Sequence, residues 1–235
     1  MNTLQLNHRE YKTIDQFLIV WDEEYKSQTE KIDLFKSELT SRWNDHQRKQ
    51  FVRLLYHQRG HFDDILWLIG SFAPDANTKE MILNNIRDEF GQGGRSHEKL
   101  YLDFANSMGV DLAYELINEE FYLPFLKDYN QGCLRWMRGH DWNHKLTAFA
   151  ALERLDNVDY SSLKKVVTSF GLEKIDLVFF DVHIHVQHFD RIDDGGFHGI
   201  WDSQPELVAN VFNFIGNYQL DIWKKISEAI IASAP

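Results

Sequence analysis

Residues 179–194, with the sequence FFDVHIHVQHFDRIDD, place three histidines and four aspartates among aromatic and β-branched residues. Imidazole and carboxylate groups are the side chains that bind iron and manganese in proteins. As a strand, the segment would alternate, with His183 and His185 on one face. As a helix, in which each residue advances about 100°, it would place Asp181, His185 and His188 within a stripe roughly 60° wide. The two alternatives lead to different folds and different chemistry.

The strand alternative points to a metallohydrolase. His183-Ile-His185-Val-Gln-His188 differs at one position from the HxHxDH metal motif of metallo-β-lactamase-like hydrolases. Such an enzyme needs a β-rich chain, which uses many turn-forming residues. This chain has only four prolines and thirteen glycines. We therefore predict a helix here. His183 would then lie about 160° from the stripe, which makes it a less suitable ligand.

Three other segments each place one ionisable residue on an apolar helical face. Glu89 follows Ile82 and Ile86 in MILNNIRDEF, His97 leads SHEKLYLDFANSM, and Glu153 ends a face in KLTAFAALERLD. Buried groups of this kind each cost a few kcal/mol unless a partner satisfies them, and a divalent metal is such a partner. The combined set suits two iron ions, with manganese as a second choice. Its predicted metal ligands are Glu89, His97, Glu153, Asp181, His185 and His188.

Helical periodicity covers most of the chain. TIDQFLIVWDEEY and QFVRLLYHQRGHFDDILWLIGSF are predicted to be helices, the second one long and unbroken. Thr78 is expected to cap the next helix and Ser96 the one after it. Further helical patterns lie near 110–130, 141–156, 160–170, 172–190 and 204–231, and Pro205 suits a first turn. These patterns predict an all-α fold, in one domain over residues 1–235, with roughly seven to ten helices.

Composition and charge restrict the partners of the protein. A formal net charge of −11 argues against nucleic acid or an anionic membrane as a main partner. The single cysteine, Cys133, can form no intramolecular disulfide. No apolar leader or membrane-spanning stretch is evident, so we expect a cytoplasmic protein.

The Glu89…His97, Glu153, Asp181-x3-His185-x2-His188 series resembles the heme-oxygenase-like diiron oxidases and oxygenases, which include the Chlamydia protein associating with death domains. The resemblance extends over most of the chain. It implies a heme-oxygenase-like bundle of about seven core helices, two bound iron ions and O2-dependent oxidation of a small-molecule substrate. A homodimer is also implied. The last helix in this family often reads His-x3-Asp-x2-His, so the first two ligand types are exchanged here. Tyr101, one turn from His97, is the candidate catalytic residue, as a radical relay or proton donor.

Other activities are compatible with a similar fold. Metal-free enzymes of the thiaminase-II or pyrroloquinoline-quinone synthase type are one alternative, and for the former Cys133 would be the nucleophile to consider. A non-enzymatic helical interaction or metal-storage protein is another. Metal content together with O2-dependent spectral changes separates these alternatives from an iron-dependent oxidase.

Overall fold

The structure is a computed structural model that describes residues 3–185, 192 and 196–233. Across these ranges the regular structure is helical and no β-strand occurs. The predicted all-α fold is therefore confirmed, and the strand alternative for residues 179–185 is wrong because Val178–His185 is an α-helix. No helix within these ranges is long and apolar enough to cross a membrane.

Twelve α-helices are found in the described ranges, with two short 3-10 helices at His8–Glu10 and Asp33–Phe35. The α-helices are α1 (Ile14–Thr29), α2 (Ser37–Thr40), α3 (Asp45–Arg59), α4 (Phe62–Phe72), α5 (Ala76–Glu89), α6 (His97–Ser107), α7 (Ala113–Asn118), α8 (Pro124–Arg138), α9 (Trp142–Ser169), α10 (Val178–His185), α11 (Phe197–Ser203) and α12 (Pro205–Ala232).

Helix boundaries follow local capping chemistry. Ser96 caps α6 by accepting a hydrogen bond from the backbone N–H of Lys99, as predicted. The cap of α5 is Asp75 rather than Thr78, because the Asp75 carboxylate accepts from the Thr78 backbone N–H. Pro205 stands in the first turn of α12, where its missing N–H costs no hydrogen bond.

Predicted helix boundaries differ from the structure at several places. The pattern near 110–130 is two helices, α7 and α8, and the helix expected from residue 172 begins at Val178. The long helix expected to run to Phe72 is broken near Gly60, which ends α3, and α4 starts at Phe62. The separate helices expected over 141–156 and 160–170 are one continuous helix, α9. No proline or glycine interrupts the residues between them, so nothing stops the helix from continuing.

The core is built around the two longest helices, α9 and α12, which pack against each other. Ala148, Ala150 and Ala151 of α9 are fully buried, and their small side chains permit close packing. Helix α1 adds Trp21, and Gly216 of α12 lies against that indole. Helix α10 packs against α9 and α6, the helices that carry Glu153 and His97.

Candidate functional site

A tight turn between α5 and α6 brings Glu89 and His97 together. Glu89 is the last residue of α5 and His97 is the first of α6. Gly91 has φ +83°, and a Cβ there would lie 2.6 Å from the Arg95 backbone, so glycine is needed for the turn to close. The two side chains face each other, with 2.9 Å between His97 Nδ1 and Glu89 Oε2.

Glu89 and His97 line a cavity of about 160 Å³ between α3, α4, α5, α6, α9 and α10. Its walls combine aromatic rings with acidic and basic groups. The aromatic lining residues are Tyr56, Phe62, Phe90, Tyr101, Tyr160 and Phe179; the polar and charged ones are Arg59, Asp63, Glu89, Ser96, His97, Glu98, Asp156 and His183, and Gly60 completes the lining. The cavity thus gathers four carboxylates and two imidazoles.

Helix α10 turns His183, rather than His185, toward this cavity. Phe179, Phe180 and His183 are the buried residues of α10. The His183 ring centroid lies 4.4 Å from that of His97, and its Nδ1 is 2.7 Å from the backbone carbonyl of Phe179. Two adjacent phenylalanines bury more apolar surface than the valines on the other side of the helix, which accounts for this rotation.

Three of the other predicted ligands are described by the structure, and none of the three lines the cavity. Asp181 is partly exposed and forms an ion pair with Lys164. His185 is exposed, and its Nδ1 lies 2.6 Å from the backbone carbonyl of Asp181. Glu153 is buried at 3% exposure in α9, one turn before Asp156, which does line the cavity. His188 lies outside the described residues. The ligand roles of these four residues stay predictions.

Tyr101 and Cys133 are the other two candidates from the sequence, and the structure shows the environment of each side chain. The Tyr101 hydroxyl donates a hydrogen bond to the backbone carbonyl of Val52 at 2.6 Å, although the residue lines the cavity. Its catalytic role stays a prediction. Cys133 is buried in α8 away from the cavity, and burial raises the pKa of its thiol to about 12. A thiol of that kind is a poor nucleophile, which argues against a thiaminase-II-like mechanism.

A buried ion-pair network supports the cavity wall at Arg59. Arg59 donates to Asp156 Oδ1 at 2.6 Å and to Asp159 Oδ2 at 3.1 Å. Asp159 is fully buried and also accepts hydrogen bonds from Tyr25 at 2.8 Å and from Gln219 at 3.1 Å. Sequence inspection overlooked Asp156 and Tyr160. They follow Glu153 at i+3 and i+7, and that shared helical face was the available signal.

Burial, with a smaller contribution from neighbouring carboxylates, raises the pKa of two cavity residues, Asp63 and Asp156. Burial, followed by the charges of Glu89 and Glu98, raises the pKa of Asp63 to about 6. Burial also raises the pKa of Asp156 to about 6, although Arg59 opposes this change. Burial disfavours the His97 imidazolium, but the hydrogen bond and charge of Glu89 outweigh it and raise the pKa of His97. A site of this kind gains from a bound cation.

The donor types of this cavity fit iron. Glu89, His97 and His183 supply a carboxylate and two imidazoles in one buried place, and mixed oxygen and nitrogen donors suit iron. Within the part of the chain that the structure describes, no three His, Cys, Asp or Glu side chains are arranged closely enough to hold a metal ion. The fit is therefore one of donor chemistry and burial.

Comparisons with known proteins agree with this chemistry. A family model described as an iron-containing redox enzyme matches residues 49–198, which include Glu89, His97, Asp156 and His183. No curated protein matches the chain.

Solved structures show the same fold. A CADD-like protein of unknown function from Nostoc punctiforme is 15% identical, with a TM-score of 0.69 over 94% of this chain and 98% of that chain. A domain of unknown function from Shewanella denitrificans, with a heme oxygenase-like fold, is 14% identical, with a TM-score of 0.70 over 99% of this chain and 97% of that chain. The predicted heme-oxygenase-like fold is confirmed.

Proposed function

The chain belongs to the family of iron-containing redox enzymes, and from this we propose that it binds two iron ions and uses O2 to oxidise a small-molecule substrate. The observation that carries the proposal is the pair of buried His97 and partly buried Glu89, with 2.9 Å between the facing atoms, on a cavity that His183 also lines. Bound iron would supply the activation of O2.

The proposed ligands are Glu89, His97 and His183, to which the sequence-based prediction adds Glu153, Asp181, His185 and His188. The aromatic walls of the cavity shield Glu89, His97 and His183 from bulk water and give the substrate an apolar surface. Arg59 holds the Asp156 carboxylate in place, whereas the Glu89 carboxylate contacts the His97 imidazole.

Iron binding is the first test. Metal-free protein would be loaded with Fe(II) under anaerobic conditions and desalted, and its iron content would be measured. Loss of an outer-shell partner alone commonly costs about 10–100-fold in metal affinity, so Glu89→Gln and His97→Ala are expected to weaken binding at least that much. Wild-type protein that retains no iron, or two variants that load like wild type, would contradict the proposal.

A matched pair of variants on α10 separates the cavity ligands from the sequence-based set. His183 lines the cavity, whereas His185 two residues later is exposed. Loss of iron in His183→Ala but not in His185→Ala supports ligation from the cavity, and the reverse pattern supports the Asp181/His185/His188 stripe. The same measurement on Glu153→Gln and His188→Ala tests the remaining predicted ligands.

O2 chemistry is the second test. Iron-loaded protein should consume O2 faster than the same amount of free Fe(II), as followed with an oxygen electrode, and candidate metabolites should accelerate that uptake. Iron binding with no effect on O2 uptake would leave a metal-storage role and remove the oxidase assignment.

A further inference from the structure

Three tyrosines line the cavity, and their hydroxyl groups differ in whether they have a hydrogen-bond partner. The Tyr56 hydroxyl donates to Glu98 Oε1 at 3.4 Å, and the Tyr101 hydroxyl donates to the Val52 carbonyl at 2.6 Å. The Tyr160 hydroxyl has no hydrogen-bond partner among the described residues, although Tyr160 is only 3% exposed. A buried polar group without a partner is uncommon, so each case calls for a partner.

The ring of Tyr160 is held firmly, which fixes where its hydroxyl can lie. It stacks on His183 with 4.0 Å between ring centroids and 18° between planes. The Arg59 guanidinium lies 4.7 Å from the same ring, and Asp156 and Asp159 hold that guanidinium. A side chain clamped in this way can present its hydroxyl to a ligand without losing further rotamer freedom.

The hydroxyl is not sealed among protein atoms. Some polar side-chain atoms of the described residues, such as Arg59 Nε and Thr147 Oγ1, are inaccessible and have no hydrogen-bond partner. The Tyr160 hydroxyl is not one of these atoms, so part of its surface is accessible. Since Tyr160 lines the cavity and is otherwise buried, the accessible part of its hydroxyl faces the cavity. Carboxylates that could accept from it, such as Glu89 and Asp156, line the same cavity without reaching it.

We propose that the Tyr160 hydroxyl donates a hydrogen bond to an anionic atom of the small ligand that binds in the cavity beside Glu89 and His97. The proposal rests on the proposed function, in which O2 and its reduced forms bind there. In a cavity lined by four carboxylates, a small anion needs a donor, and Tyr160 is the tyrosine whose hydroxyl is uncommitted.

Azide is a suitable probe because it is a small anion that binds ferric iron. Iron-loaded protein, oxidised in air, would be titrated with sodium azide and followed by visible absorption. A hydrogen bond to a charged group contributes about 1.5–3 kcal/mol, so Tyr160→Phe is expected to raise the azide Kd about tenfold or more. Tyr218→Phe is the matched control, because the Tyr218 hydroxyl donates to the backbone carbonyl of Asp128 at 3.0 Å and Tyr218 does not line the cavity. We expect its azide Kd to stay within about twofold of wild type.

The iron content of each variant is measured alongside. Tyr160→Phe that loads iron and binds azide like wild type would overturn the proposal. Loss of iron from wild-type protein would instead contradict the proposed function, and a crystal structure of the metal-free protein then tests Tyr160 separately. An ordered water or anion on the Tyr160 hydroxyl, absent in Tyr160→Phe, supports the donor role. A protein group bonded to that hydroxyl overturns it.

Discussion

Asp159 is the residue whose replacement we expect to cost the most stability. It is fully buried in α9 and accepts hydrogen bonds from four side chains on three other helices. Its donors are the Tyr25 hydroxyl at 2.8 Å, Arg59 Nη2 at 3.1 Å, Gln219 Nε2 at 3.1 Å and Trp223 Nε1 at 3.1 Å. Asp159→Ala removes the acceptor that joins α1, α3 and α12 to α9.

The magnitude follows from these contacts. Removing one partner of a buried ion pair costs about 3–5 kcal/mol, and the lower end applies because Arg59 keeps Asp156 as a partner. Three neutral donors also lose their acceptor, at about 1 kcal/mol each if water enters the vacated space. We therefore expect the free energy of unfolding to fall by about 6 kcal/mol, which is comparable with the total stability of many proteins. Asp159→Asn keeps one acceptor oxygen, and about 2 kcal/mol is expected for it.

Urea unfolding of the metal-free protein at pH 7.5, followed by circular dichroism, measures both changes. Asp45→Ala is the control, because Asp45 is 78% exposed where it pairs with Lys49. Exposed pairs of this kind contribute about 0–1 kcal/mol. An Asp159→Ala protein that loses less than about 1 kcal/mol would refute the assignment of Asp159 as the buried acceptor of this network.

Other predictions concern single residues. Asp63 has a folded-state pKa of about 6, above its ordinary 3.8, so its ionised form opposes folding above pH 6 and the cost disappears as the pH falls toward 4. Asp63→Asn should therefore stabilise metal-free protein at pH 7.5 by on the order of 1 kcal/mol, a figure reduced because Asp63 is partly exposed. The stabilisation should be smaller at pH 5, and an equal effect at both pH values in urea unfolding would contradict the prediction. Burial raises the pKa of the Cys133 thiol to about 12. The thiol should therefore react with Ellman's reagent about a thousandfold more slowly in native protein than in guanidinium, and equal rates would show that it is accessible. Gly216→Ala would place a Cβ 2.6 Å from Leu4 Cδ1 and 2.9 Å from Trp21 Cζ2. Thermal unfolding should therefore show a loss of about 1–3 kcal/mol in the free energy of unfolding, despite the better helix propensity of alanine. A gain in stability would indicate that α1 moves aside freely.

Local chemistry in the sequence determined most of the helices and one half of the candidate site. Periodicity and capping residues act within a few positions, so α1, α6 and α12 could be predicted. Glu89 and His97 could be paired for the same reason, because they end and begin adjacent helices joined by a glycine-rich turn. The break at Gly60 was missed because a helix can tolerate a single glycine, and the residues around it decide whether it continues.

Tertiary structure alone decided which face of α10 is turned inward. The sequence of α10 carries ionisable residues on two faces, and periodicity cannot choose between Asp181 with His185 and the opposite face with His183. Packing of Phe179 and Phe180 against the bundle buries the second face. The Arg59–Asp159 pair joins residues 100 positions apart, and no local pattern marks it. Contacts of this kind depend on how whole helices pack, since each buried charge is stable only where the fold brings its partner.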